Sequence, residues 1–350
     1  MNRPIPFSKQ ELKAIDTIPG FMGRPGLPIF NTPLTPRENF NAFYWEKEPW
    51  WLPAPSESAM LIDSMYDDKL GRGGPNGTTD EFGIEWEYIA SAGGSIARPG
   101  EPLVSDANEL ADKVKFPDID DWDWDGDAAK AKLDPRLFTV FTLVNGFGFE
   151  RLISFMDFAP AAMALLDEDQ EFAVKKFLRE SAEFACKVVD KYCEYFPALD
   201  GFDIHDDWGA QRAPFFSEQI AYEFFVPNMR LITDHIHSKG KVATLHSCGH
   251  VEDRVKCFID GGFDGWVPQA MNDTKRLFDE VGDKIAIAVI PERYDPMTTP
   301  EEKQREYGAE FAKYYTQPGK LATISYYGAE MVTSAFQEAM YETSRKIITA

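Results

Sequence analysis

From about Arg136 onward, short apolar runs alternate with longer segments of helical periodicity. RLFTVFTLVNG, from Arg136 to Gly146, reads as a strand that ends in polar and glycine residues. The segment starting near Asp169 places Leu178, Ala182, Ala185, Val189, Tyr192 and Phe196 at alternating spacings of four and three. That is the stripe of a helix buried on one side. LDGFDIHDDWG predicts a second strand, followed by helical segments on either side of Pro227 and a stop at Gly240. KVATLHSCG predicts a strand and then a helix reaching Gly261; FDGWVPQ is paired in the same way with NDTKRLFDEVG. After the strand KIAIAVIPE, Thr299-Pro300-Glu301-Glu302 predicts an N-cap, a first-turn proline and a capping-box glutamate. KLATISYYG and a last helix close the pattern.

Strands and helices alternating at this rhythm imply parallel pairing with helical crossovers. A doubly wound sheet and a (β/α)8 TIM barrel both satisfy the pattern. No G-x-G-x-x-G follows a strand, which weakens the dinucleotide-binding version. Polar residues collect where strands end: Asn145, His205-Asp206-Asp207, His246 and Cys248, Gln269, Glu292, and Tyr326-Tyr327. In a barrel these ends converge on the C-terminal face, where active sites sit. The expected fold is therefore α/β, a (β/α)8 barrel over residues 81–350. Residues 1–80 lack sustained periodicity and are rich in Pro, Trp and Phe, so they read as an N-terminal extension packing on the barrel.

Composition narrows the function classes. Aromatic residues make up 14% of the 350 positions, which argues against disorder. A net charge of −22 disfavours nucleic acid, whose phosphates call for clustered Lys and Arg. The acidic stretch FPDIDDWDWDGDAA, Phe116 to Ala129, lacks the glycine and closing Glu of a calcium loop and reads as solvated. The opening MNRPIPFSKQELKAID has no apolar core, and no run approaches the roughly 18 apolar residues of a membrane span. Four scattered cysteines point to a reducing compartment rather than a disulfide framework, so a cytoplasmic protein is expected.

His246 and Cys248, two apart on a strand, face the same way and can enter one pocket. Imidazole and thiolate are favoured zinc ligands, and three protein ligands leave a position open for substrate. The alternative is a buried thiol beside a satisfied imidazole. His205, Asp206 and Asp207 end the preceding strand, where alternation turns one aspartate inward while the other faces helix or solvent. An inward Asp207 can be a ligand, a partner holding His246, or an acid–base group; otherwise one aspartate is a cap. Phe147, Phe149, Tyr326 and Tyr327 either shape a flat apolar pocket or cap the core. Cys186, Cys193 and Cys257 read as packing residues, His235 and His237 as helix-end surface residues, and His250 as a spare ligand or a helix-start residue.

The run from Asp203 to Gln269, DIHDDWGAQRAPFF through KVATLHSCGHVEDRVKCFIDGGFDGWVPQ, resembles the heart of the uroporphyrinogen decarboxylase superfamily, and DEFGIEWEYIASAGG is similar to a segment of its methyltransferase-like members. The resemblance covers residues 80 to 350 and implies a (β/α)8 barrel. It also implies cobalamin-dependent methyl transfer: a small-molecule methyl donor, Zn2+, and a corrinoid carried by a partner protein, with a possible homodimer. The decarboxylase's arginine-rich grip is absent, since only FMGRPG stands there. The zinc methyltransferases use a His-x-Cys, matched by His246 and Cys248, and a later cysteine whose place falls at Ala329. Glu330 beside it is the expected third ligand. Asp207 and His205 are the expected catalytic residues; Asn145, Phe147, Gln269 and Tyr326 are the expected substrate contacts. The leading expectation is transfer from a methoxylated aromatic (O-demethylation). Metal-independent decarboxylation through Asp207 and a non-catalytic barrel are the alternatives.

Overall fold

The apolar runs that lead into polar residues form strands: β1 (Ser58–Leu61), β2 (Phe138–Leu143), β3 (Gly201–His205), β4 (Val242–Ser247), β5 (Gly265–Pro268), β6 (Ala286–Val289) and β7 (Ala322–Ile324). In this computed structural model, which describes residues 5–18, 26–61, 64–71, 77–90 and 94–350, they make one seven-stranded sheet in the order β7-β6-β5-β4-β3-β2-β1. Neighbours in the sheet follow chain order, and β3–β4, β5–β6 and β6–β7 pair in parallel. Every residue of β4 and β6 is buried, as expected of parallel strands covered on both faces. The fold class is α/β, of the TIM-barrel kind.

The chain divides into two compact units, one comprising Met1–Met60, Asp134–Val140 and Asp264–Ala350, the other Leu61–Leu133 and Phe141–Phe263. In the first unit the N-terminal segment is tied down by chemistry, not by periodicity. Phe30, Trp50, Trp51 and Tyr341 form one buried cluster, and Tyr341 Oη donates to Glu11 at 2.6 Å. The Arg345 guanidinium donates to the same carboxylate at 2.9 Å, holding Glu11 below its usual range against the opposing effect of burial. Thr35 caps the helix Pro36–Asn41 in a capping box with Glu38, with Pro36 in its first turn. The strand β1 lies within the first 80 residues, so that region contributes to the sheet itself.

In the second unit, helices α1 (Phe149–Met156), α2 (Glu171–Tyr195) and α3 (Val226–Ser238) follow β2 and β3. The predicted stripe of α2 is buried, from Leu178 through Tyr192. Pro227 sits in the first turn of α3 behind a π-helical turn, Ala221–Phe225, where its missing N–H costs nothing. The stretch Phe116–Ala129 is not a solvated loop throughout. It buries Trp122 and Trp124 and carries the helix Trp124–Ala128, with its aspartates alternating outward except for buried Asp127.

The helix α4 (Glu301–Tyr315) corrects one detail. Pro300 is its N-cap, in extended geometry with no side-chain cap bond, so Thr299 does not cap it. The helix therefore starts one residue later than the capping box predicts, and the Gln304 amide donates to the Thr299 carbonyl at 2.7 Å. The helix α5 (Ser334–Ile348) closes the chain. FMGRPG lies outside the described residues from Phe21 to Pro25, as do parts of GRGGPNG and SAGG.

Candidate functional site

The site is built where β3 and β4 end, within the second unit. Their parallel register sets Asp203 opposite Thr244 and His205 opposite His246. Alternation turns Asp203, His205 and Asp207 to one side, and Thr244, His246 and Cys248 join them from the next strand. The His205 and His246 rings lie 4.8 Å apart.

The loop after β4 must fold back tightly to present Cys248. Gly249 adopts φ +94°, and a Cβ there would meet the Gly209 backbone at 2.2 Å. This close approach lets the Cys248 N–H reach the Asp207 Oδ1 at 2.7 Å. His246 Nε2 lies 3.2 Å from Cys248 Sγ. One ligand atom each from Asp207, His246 and Cys248 fall within 4.8 Å of one another. Tetrahedral zinc with its usual bond lengths separates a nitrogen from a sulfur ligand by about 3.6 Å. The donor set and its spacing therefore fit a small tetrahedral cation. The third member of this cluster is Asp207; Glu330 is not among its members and lies on the 3₁₀ turn Tyr326–Met331 of the other unit.

The two adjacent aspartates have separate tasks. Asp206 is buried and accepts the N–H groups of Phe149 and Glu150 at the start of α1, together with the Trp208 indole at 2.7 Å. Burial lifts its carboxyl to about 6, opposed by those hydrogen bonds. It caps the helix behind it in the chain, and Gly148 is there because a Cβ would strike the Asp206 Oδ2 at 2.2 Å. Asp207 alone turns toward His246 and Cys248.

Asp203 is the site residue that the HDD pattern hides. It is 5% exposed and accepts from Thr244 Oγ1 at 2.6 Å, while its Oδ2 lies 3.0 Å from His205 Nε2. Burial acts to raise its pKa, but the hydrogen bonds of His205 and Thr244, with the imidazoles beside it, hold it below the usual carboxylate range. The same i, i+2 rule that joins His246 to Cys248 applies to Asp203 and His205.

The other expected contacts divide between the two units. Asn145 is buried at φ 61°, and its amide oxygen accepts from Arg151 Nη1 and Nη2 at 3.2 Å. That arginine is itself buried, 3.8 Å from Asp80. Phe147 is 3% exposed and packs edge-on against Phe184 of α2, in the layer between sheet and helix. Gln269 and Tyr326 belong to the first unit: the Gln269 amide donates to Tyr327 Oη at 3.3 Å, and Tyr326 is 36% exposed. His250 lies 3.4 Å from Glu252 and is outside the cluster. All four cysteines are free thiols, and burial drives Cys186 and Cys257 up to about 11. Among the described residues no helix is long and apolar enough to cross a membrane.

No protein-family model matches the chain, and no curated protein matches it. Among solved structures it is similar to a methyltransferase from Methanosarcina mazei, at 15% identity and a TM-score of 0.53, over 89% of this chain and 84% of that one. It is also similar to an AP endonuclease, family 2, from Brucella melitensis, at 16% identity and a TM-score of 0.31, over 63% and 82%. At such identities the first likeness establishes the fold, a TIM-type barrel shared with the Methanosarcina mazei methyltransferase.

Proposed function

We propose that the protein is a methyltransferase that moves a methyl group from a small donor to a corrinoid carried by a partner protein, with zinc held by Asp207, His246 and Cys248. The observation that supports this most is the convergence of those three side chains at the ends of two neighbouring parallel strands. The barrel shared with the Methanosarcina mazei methyltransferase agrees with it. When bound, zinc supplies Lewis acidity to the heteroatom that leaves the methyl group.

The chain's own residues do the rest. Asp207 shares its Oδ1 with the Cys248 N–H, which fixes the carboxylate beside the thiol. His246 and Cys248 provide one nitrogen and one sulfur, leaving a fourth position for the donor's heteroatom. With a single thiolate, the set leaves the cation more electrophilic than two thiolates would. That favours activation of a leaving group. A methoxylated aromatic is the leading donor.

Elemental analysis of the purified protein together with methyl transfer to a reduced corrinoid protein, followed by absorbance, tests the reading. About one zinc per chain and corrinoid methylation from a methoxylated aromatic are expected. Zinc-free protein that takes up no added zinc, with no methylation from any donor, refutes it.

A further inference from the structure

Asp203 and Thr244 have no part in the metal cluster, yet they build a second polar layer directly beneath it. Replacing an inward-facing buried carboxylate by an aliphatic side chain would cost a strand nothing in packing, so its presence needs a reason. Both carboxylate oxygens are committed, Oδ1 to the Thr244 hydroxyl and Oδ2 to the His205 Nε2. No Lys or Arg makes an ion pair with it among the described residues; its one ion-pair partner is His205.

An ionised carboxylate only accepts, so His205 Nε2 must carry the hydrogen. In the neutral ring Nδ1 then holds a lone pair, and it makes no hydrogen bond among the described residues. The His205 side chain is 16% exposed, its ring 4.8 Å from that of the metal-cluster residue His246. We infer that Asp203 is a positioning residue that fixes His205 as the Nε2–H tautomer, so that Nδ1 accepts a hydrogen bond from substrate. This rests on the methyl-transfer reading above and narrows the donor class. The donor carries a hydroxyl or amine hydrogen beside its methyl-bearing atom. A half-buried acceptor left unpaired by a donor lacking that hydrogen weakens binding, which is the basis of discrimination.

Two measurements on the full chain test this at pH 8, above the ordinary imidazole range. The first is the tautomer, read from nitrogen-15 shifts of labelled histidine and assigned with His205→Gln. Nε2–H is expected in the wild type, switching to Nδ1–H in Asp203→Asn, whose amide can donate to Nε2. A wild-type ring with its hydrogen on Nδ1 overturns the inference, and that result needs no variant to fold. The second is binding of 2-methoxyphenol against 1,2-dimethoxybenzene. The phenol should bind at least tenfold tighter, and Asp203→Asn should erase the difference. Equal binding to the wild type, or none of either probe, overturns the donor class. Should the protein bind zinc and methylate a corrinoid from a donor without the hydroxyl, the proposed function stands and this inference falls.

Discussion

Glu57 is a buried carboxylate that pairs with no cation among the described residues, and it should make the protein measurably less stable as pH rises. Its two oxygens share a single donor, the Trp51 indole N–H at 2.9 Å, and Oε2 also accepts the Ala54 N–H at 3.0 Å. Burial dominates and lifts its carboxyl to about 7, with those two hydrogen bonds opposing. The folded state therefore holds this proton more tightly than the unfolded chain does. Its contribution is intact below the ordinary pKa of 4.5 and is lost as pH climbs through 7.

Glu57→Gln mimics the protonated form, since the amide oxygen can still accept from Trp51 and Ala54. At 1.36 kcal/mol per pKa unit, the variant should exceed the wild type by about 1 kcal/mol at pH 5 and about 3 kcal/mol at pH 8. Urea unfolding of both proteins across that range measures the gap, and taking the difference cancels the titration of the many other acidic groups. A gap that stays constant with pH, or a variant less stable than wild type at pH 8, would refute a burial-driven shift. The magnitude separates the two cases because a merely lost hydrogen bond is worth only about 1 kcal/mol and carries no pH dependence.

Four further outcomes follow from the site. Cys248→Ala should lose most bound zinc by elemental analysis while keeping the wild-type circular dichroism, because Cys248 begins the loop after β4 and is only partly buried. Asp207→Asn retains shape but removes charge, and turnover should fall by roughly 100-fold or more in a corrinoid methylation assay; equal activity would assign Asp207 to loop bracing alone. Gly148→Ala drives a Cβ into the Asp206 carboxylate and should cost about 1–3 kcal/mol in urea unfolding. Asp206→Ala should cost a similar amount by uncapping α1, whereas a neutral result would remove Asp206 from that role.

The barrel was legible because period and length carry it. The α2 stripe and the apolar runs of β2, β4 and β6 can be read directly, since burial on two faces leaves little choice of residue. The first 80 residues were opaque for a physical reason: they are held by Glu11 with Arg345 and Tyr341, and by Trp50 and Trp51, all contacts across hundreds of positions. No local period records such bonds, and β1 contributes only four residues to the sheet.

At the site, alternation predicted that one aspartate of the pair would turn inward, and Asp207 lies with His246 and Cys248 while Asp206 caps α1. That division is visible in sequence only as two identical letters. Gly148 leaves the room that the Asp206 carboxylate occupies, since a Cβ there would strike its Oδ2. Asp203 was missed for the opposite reason. It sits inside a strand, where a charged residue reads as an interruption of the apolar run. Its partners lie one residue pair further down the strand and on the neighbouring one. Only the register of β3 against β4 brings Asp203, Thr244 and His205 together, and register is a property of two strands that neither strand states alone. Asp207 joins the cluster through a loop held by the contact of Gly249 on Gly209, which no count along the chain records. A polar residue inside an apolar strand, read at i and i+2 toward the strand's end, is thus the signal most worth extracting from such a sequence, because burying it without a partner would be costly.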